Sequence, residues 1–235
     1  MTTKQEFEAL EIHLNYSKSS RPDKVHIGLV QLSTDHSLEV DWTKLSGSSA
    51  MVFSSRVYYS SVMTPKALND ISQGITAAAD LIAVGLPMDV MAFGCTSASM
   101  VIGSKKIEEL LTIHHPGIPA TNPWAAAKAA FRHLNTEKIS IFSPYPTEVN
   151  YPLYQELRAE GFDIPAIGAL RIQNDTDITT VSLDSMVKGV EKILDHAKTD
   201  ALFMSCTNLR ILDHLEKLES IFDIPIICSN QAMFW

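Results

Sequence analysis

Three cysteines in 235 residues are too few, and too odd in number, to staple a secreted scaffold. No CxxC pair occurs, and no Cys/His cluster has the spacing of a zinc site. The ten glycines form neither a GxGxxG turn nor a GxxxxGK[ST] phosphate loop, so a nucleotide site has no motif behind it. Positive charge is scarce as well. Lys and Arg number 19 against 27 Asp and Glu, giving a formal net charge of −8 and a pI near 5.4. Nucleic acid and anionic membrane surfaces both demand a cationic footprint, so neither is an expected partner. No apolar run reaches the roughly 20 residues of a membrane span, because Asp80 and Asp89 flank the most hydrophobic stretch. The opening residues lack the apolar core and cleavage site of a secretory signal, which leads to the expectation of a soluble, cytoplasmic protein. Thiols are the most reactive groups the chain visibly offers.

What is present is an alternation of short β-branched runs with longer helical patterns. The runs predict strands over 25–32, 50–57, 90–94, 139–142, 166–172, 201–205 and 224–228. The periodic segments predict helices over 65–84, 97–112, 123–134, 147–160, 177–196 and 208–221. Thr64-Pro65 and Asn122-Pro123 each place a capping side chain ahead of a proline at the first helical position. Strands alternating with helices of this length imply an α/β fold with parallel sheets and βαβ crossovers. Two prolines and a glycine at 114–121 mark the best boundary. The expected organisation is a polar arm over 1–22, a first lobe over 23–120, and a second lobe over 121–224. Residues 225–235 are a candidate return to the first lobe.

The two halves repeat a motif. Asp89-Val-Met-Ala-Phe-Gly-Cys95-Thr96-Ser97 matches Asp200-Ala-Leu-Phe-Met-Ser-Cys206-Thr207-Asn208, an acid, an apolar strand, a small residue, then Cys-Thr and a polar residue. Each cysteine should stand at the carboxyl end of a strand, in a turn that opens a helix, where ligands of open α/β sheets sit. A helix N-terminus favours anions and should favour a thiolate. Thr96, Ser97, Thr207 and Asn208 offer hydroxyl and amide groups to a carboxylate. Two such turns facing one another would hold a small anion between two thiols. Cys228 has no matching partner and reads as a packed thiol, His114-His115 as solvated linker residues, and Arg210 as a partner for Asp213 or Glu216.

With these residues in place, the chain resembles the aspartate/glutamate racemase superfamily. The closer likeness is to the branch holding maleate cis-trans isomerase, arylmalonate decarboxylase and the ectoine-utilisation racemase-like proteins. The resemblance is carried by IGLVQLSTDHSLEVDW (27–42), DVMAFGCTSASMVIG (89–103), ISIFSPYPTEVN (139–150), LFMSCTNLRILDHLE (202–216) and IPIICSNQAMFW (224–235). It implies an enzyme of two pseudo-symmetric α/β lobes, each a parallel sheet flanked by helices, working without cofactor or metal in the cleft between them. Cys95 and Cys206 take the places of the catalytic thiols. Tyr145 stands where the family has a substrate-contacting tyrosine, with Ser143 beside it. Thr34 and Asp35 fall in the first loop of the site.

The departures from individual members bear on chemistry. Arylmalonate decarboxylases lack the first cysteine, so Cys95 counts against decarboxylation. Maleate isomerases usually carry Asn in the first loop, where this chain has Asp35, as amino-acid racemases do. The first expectation is therefore cis-trans isomerisation of a small dicarboxylate by two thiols. Two-base racemisation of an amino acid, arylmalonate-type decarboxylation and simple small-anion binding are the alternatives, and a homodimer is an expected assembly.

Overall fold

A computed structural model describes residues 3–20 and 23–235, so residues 1–2 and 21–22 of the expected arm lie outside the described residues. The arm begins with helix α1 (Lys4–Glu8), closed by a capping box between Thr3 and Glu6. The first half then runs β1 (Val25–Leu32), α2 (Leu38–Ser46), β2 (Ala50–Val57), α3 (Pro65–Asp70), α4 (Ser72–Asp80), β3 (Val90–Gly94), α5 (Thr96–Ile102), α6 (Ser104–Thr112), β4 (Ala120–Thr121) and α7 (Pro123–His133). The second half runs β5 (Ile139–Ser143), α8 (Thr147–Ala159), β6 (Ile167–Ala169), α9 (Asp175–Ile178), α10 (Leu183–His196), β7 (Ala201–Met204), a 3₁₀ turn (Leu212–His214), α11 (Leu215–Phe222), β8 (Ile226–Cys228) and α12 (Ser229–Phe234).

Among the described residues all strand pairs are parallel, in two four-stranded sheets ordered β2-β1-β3-β4 and β6-β5-β7-β8. The two orders are the same pattern, so the chain folds one topology twice. Each sheet reverses its winding beside its first strand, which opens a crevice at the carboxyl ends of β1 and β3 in one half and of β5 and β7 in the other. The central strands are buried on both faces, as the apolar runs VHIGLVQL and ISIFS require of parallel strands covered by helices.

Several predicted helices are broken where the backbone demands it. The run over 65–84 divides at Ile71 into α3 and α4. The run over 97–112 divides at Gly103, whose φ of 90° lies where only glycine rests without strain. Pro152 sits inside α8 without ending it. Helix α2 carries no matching expectation from the sequence; it starts beyond the first site loop and covers β1 and β3 with Leu38 and Trp42. Gly94 allows that approach, since a Cβ there would collide with Leu38.

A single large cluster of buried apolar side chains spans both halves, from Val30 and Phe93 to Phe142 and Phe203. A smaller one fills the other face of the first sheet with Ile27, Leu29, Leu38, Trp42, Ala92 and Met233. The C-terminal helix α12 thus packs on the first sheet although β8, which leads into it, belongs to the second. Trp42 meets Phe234 edge-on, and its indole N–H donates to the Asn230 carbonyl at 3.1 Å. No helix among the described residues is long and apolar enough to cross a membrane.

Candidate active site

Cys95 follows β3 and Cys206 follows β7, so the matching places in the two sheets carry the two thiols. Both are 5% exposed. Cys95 is the N-cap of α5: its Sγ accepts the Ala98 N–H at 3.4 Å and lies 3.5 Å from the Ser97 hydroxyl. Cys206 does not open a helix as the repeat had suggested. Residues 207–209 form a turn, the helical hydrogen bonding resumes only in the 3₁₀ turn at Leu212, and Cys206 holds a φ of 113°. That conformation is one an L-residue rarely takes.

Hydrogen bonds between the halves converge around the thiols. Ser229, the first residue after β8, accepts from the Thr96 hydroxyl at 2.8 Å and from the Cys206 N–H at 3.1 Å, bridging the two cysteine turns through one oxygen. Asn208 accepts the His36 N–H at 2.8 Å and donates to the carbonyls of Thr34 and Asp175 at 3.1 and 3.0 Å. The Ser37 hydroxyl donates to the Asn208 carbonyl at 3.0 Å. Asn230 donates to Asp41 at 2.7 Å and to the Thr207 carbonyl at 2.9 Å. The Asn208 amide is therefore engaged with protein atoms, holding the first site loop against the second half.

Of the other residues singled out by sequence, Asp35 is buried with Oδ1 accepting the N–H groups of Ser37 and Leu38 at 2.9 Å each. Its Oδ2 is buried without a hydrogen-bond partner among the described residues, although the Thr207 hydroxyl lies near enough to favour the charged form. Burial nevertheless dominates and raises the Asp35 pKa. Tyr145 is fully buried, and its hydroxyl oxygen accepts from Ser205 at 3.2 Å. Ser143 donates to Asn150 at 2.7 Å and accepts the Tyr145 N–H at 3.1 Å, fixing the turn that presents Tyr145. Thr34 donates to the Asp175 carboxylate at 2.6 Å.

Asp175 and Tyr59 were not singled out by the sequence, yet both belong to this cluster. Asp175 is buried, and burial raises its pKa to about 6 against the help of Thr34 and Asn208, with Asp35 pushing it further up. Tyr59 is pushed far above its ordinary range, first by burial and then by Cys95 and Asp175. No local pattern marks Asp175: it opens the four-residue helix α9, in a polar stretch that reads as a turn. Backbone pairing of residues 173–175 with residues 61–63 across the two halves brings that turn opposite Thr34.

The thiols depart from the low pKa expected of a helix N-terminus. Cys95 is pushed up to about 12 by burial, with Asp175 adding to it, and the Ser97 and Ala98 hydrogen bonds do not offset this. Cys206 is raised by burial, then by Asp175 and Cys95. A helix of one or two turns contributes a field of at most about 1 kcal/mol in most sites, less than the cost of stripping water from a thiolate. Tyr145 is raised by burial and then by Cys206 and Cys95, so its hydroxyl lies within electrostatic reach of both thiols. Cys228 is a buried thiol, 1% exposed and also raised to about 12 by burial. Arg210 pairs with Asp213 at 3.3 Å and His114 with Asp80 at 2.9 Å, both on the surface.

The profile of the arylmalonate decarboxylase family matches residues 40–235, and the chain belongs to that family. It is 26% identical over 153 residues to a maleate isomerase of Nocardia farcinica, covering 61% of this chain and 60% of that protein. Over 124 residues it is 26% identical to an arylmalonate decarboxylase of Bordetella bronchiseptica, covering 51% and 50%. The aligned part thus spans between half and two thirds of the length of these relatives. Among solved structures, the N. farcinica maleate cis-trans isomerase, as a cysteine-to-serine mutant with a covalently bound succinylcysteine intermediate, superposes with a TM-score of 0.79 at 21% identity over 89% of each chain. The maleate isomerase of Pseudomonas putida S16 gives 0.78 at 17% identity over 90% of each chain. A liganded mutant of arylmalonate decarboxylase gives 0.80 at 19% over 90% of each. These likenesses establish a shared fold.

Proposed function

We propose that this protein is a cofactor-independent isomerase of small carboxylates, acting through Cys95 and Cys206 on a cis-dicarboxylate of the maleate type. The observation that carries the reading is the placement of two buried thiols at matching strand ends, with the Tyr145 hydroxyl within electrostatic reach of both. The succinylcysteine intermediate named for the structurally similar N. farcinica isomerase supports a covalent route. Cys95 Sγ adds to one alkene carbon while Cys206 gives its proton to the other. The Cys95 proton passes to the Tyr145 oxygen, and the Tyr145 proton passes to Cys206, so the relay closes without net charge. A neutral relay suits thiols whose ionisation is opposed by burial. Rotation about the resulting single bond and reversal of the steps releases the trans alkene and restores every proton.

Two thiols also favour isomerisation over decarboxylation, since the latter needs one proton donor only. A second reading, racemisation of an amino acid by thiols on opposite faces of its α-carbon, is favoured by Asp35, a buried acid with an open oxygen able to meet an ammonium group. Proton NMR in D₂O separates the two: maleate converting to fumarate carries the first, and loss of an α-proton signal from aspartate or glutamate carries the second. Absence of both conversions would remove the catalytic reading.

A further inference from the structure

Among the described residues, the charged groups that act on the two thiols are acids. Asp35 and Asp175 are both buried there, and they are the carboxylates that bear on Cys95 and Cys206. Arg56, the cation nearest in effect to Asp35, is held away: it donates to the Leu32 and Asp35 carbonyls at 3.0 and 2.7 Å and pairs with Glu39 at 3.0 Å. His36 is exposed. Two ionised carboxylates facing a dianion in a site stripped of water would repel it strongly. One of the acids has to be neutral for such a ligand to settle.

The hydrogen bonding distinguishes the two acids. Asp35 receives two backbone N–H groups on Oδ1, donors that cannot turn away and that favour a carboxylate. Asp175 receives only side-chain donors, the Thr34 hydroxyl at 2.6 Å and the Asn208 amide at 3.4 Å, and both fall on Oδ2. Its Oδ1 receives none among the described residues. The groups in electrostatic reach of it are Asp35 from the β1–α2 loop, Cys95 from the turn after β3, Cys206 from the turn after β7 and Tyr59 beyond β2. On its own helix, Asp177 is exposed. Every facing group is an acid of some kind, so an arriving anion pushes Asp175 in one direction only.

We infer that Asp175 is a ligand-binding residue that works as a carboxylic acid, so that a dicarboxylate binds together with one proton, held on Asp175 Oδ1 and donated to a ligand carboxylate. The inference rests on the two-thiol carboxylate reading above. The raised pKa of about 6 leaves Asp175 ready to take that proton near neutral pH.

Succinate, which has both carboxylates and no double bond to turn over, is the probe. Calorimetric titration of the full chain at pH 7, in two buffers of different ionisation enthalpy, is expected to show uptake of about one proton per succinate. Affinity should fall with rising pH, by up to about tenfold per unit above pH 7. Asp175→Asn keeps a donor at the same place without titrating, so uptake should vanish and the pH dependence flatten. Cys95→Ser, which leaves both acids in place, should keep the uptake. Thr34→Ala removes a donor that favours the Asp175 carboxylate, and it should tighten succinate binding at pH 8 even if the Asn variant fails to fold. Binding without proton uptake, uptake that survives Asp175→Asn, or unchanged affinity in Thr34→Ala overturns the assignment and leaves the two-thiol reading standing. Failure of succinate to bind together with failure to turn over maleate overturns that reading, and the inference with it.

Discussion

Cys95 and Cys206 leave strands β3 and β7 at corresponding places in sheets of the same strand order, yet the chain departs from them differently. After Cys95 the backbone turns directly into α5, and the sulfur itself caps the helix through the Ala98 N–H. After Cys206 no helix begins; the residue sits at a φ of 113°, and its N–H is held by Ser229 at the start of α12. One thiol is fixed by its own local structure and the other by tertiary neighbours. A thiol locked in a helix cap has its direction set in advance, as bond formation at a fixed carbon requires. A thiol in a strained turn depends on Ser229, Asn230 and Tyr145 for its place.

The largest effects should test whether this difference matters to chemistry. Cys95→Ser and Cys206→Ser are each expected to slow conversion of maleate to fumarate by at least about 10³-fold with the fold intact. The assay is proton NMR of the product alongside circular dichroism of the variant. Full activity in either variant would reduce that thiol to packing and end the two-thiol scheme. Tyr145→Phe removes the hydroxyl proposed to carry protons between the thiols and should cost about 10²-fold, the usual scale of a lost proton-transfer group. An unchanged rate in that variant would break the neutral relay while leaving the thiols in place.

Stability effects come next and should fall on the second turn. Ser229→Ala leaves the buried Cys206 N–H and the Thr96 hydroxyl without their acceptor. Losing a buried partner costs about 1–3 kcal/mol, measurable by urea unfolding. A variant as stable as the parent would show that the bridge contributes nothing. Asp41 supports the same turn through Asn230, and burial raises its pKa to about 6. The unfolded carboxyl titrates near 3.9, so the folded state holds the proton more tightly. That contribution to stability is full below about pH 4 and is lost as pH rises through about 6. Asp41→Asn should therefore gain about 1–2 kcal/mol at pH 8 and nothing at pH 4, by thermal or urea unfolding at the two values. A gain equal at both would locate the effect in packing.

The paired turns also show where sequence reasoning reached and stopped. Both Cys-Thr turns and the strands before them could be read directly, because a parallel strand buried on both faces writes itself as a short apolar run with a polar break after it. The helix expected after Cys206 could not be corrected from sequence: CTNLRILDHLE has helical periodicity, and the long-range bonds of Thr207 and Asn208 to Asn230, Ser37, Thr34 and Asp175 hold the chain out of helix there. Asp35 was legible through the resemblance of its loop, LSTDHSLE, to the first loop of the family. Asp175 was not, since its role depends on a long-range approach to Thr34 across 141 residues. The thiol pKa failed for a related reason: a helix N-terminus is visible in sequence, but the depth at which the turn is buried is not.

The sharpest test of the comparison uses the smallest changes. At Cys95 the side chain caps a helix from an extended backbone, with φ at −159°, so Cys95→Ser should be about 1 kcal/mol more stable than Cys95→Ala, because serine restores a capping acceptor and alanine cannot. At Cys206 the side chain has no cap to make, and serine and alanine should be equal there. What matters at Cys206 is the positive φ, which glycine takes freely and alanine does not. Cys206→Gly should therefore be more stable than Cys206→Ala by about 1 kcal/mol, against the usual direction of that exchange. Urea unfolding of the five variants gives these differences. If serine helps equally at the two positions, or if glycine loses to alanine at Cys206, the turns are alike after all. The distinction between a locally capped thiol and a strained one held by its neighbours then fails.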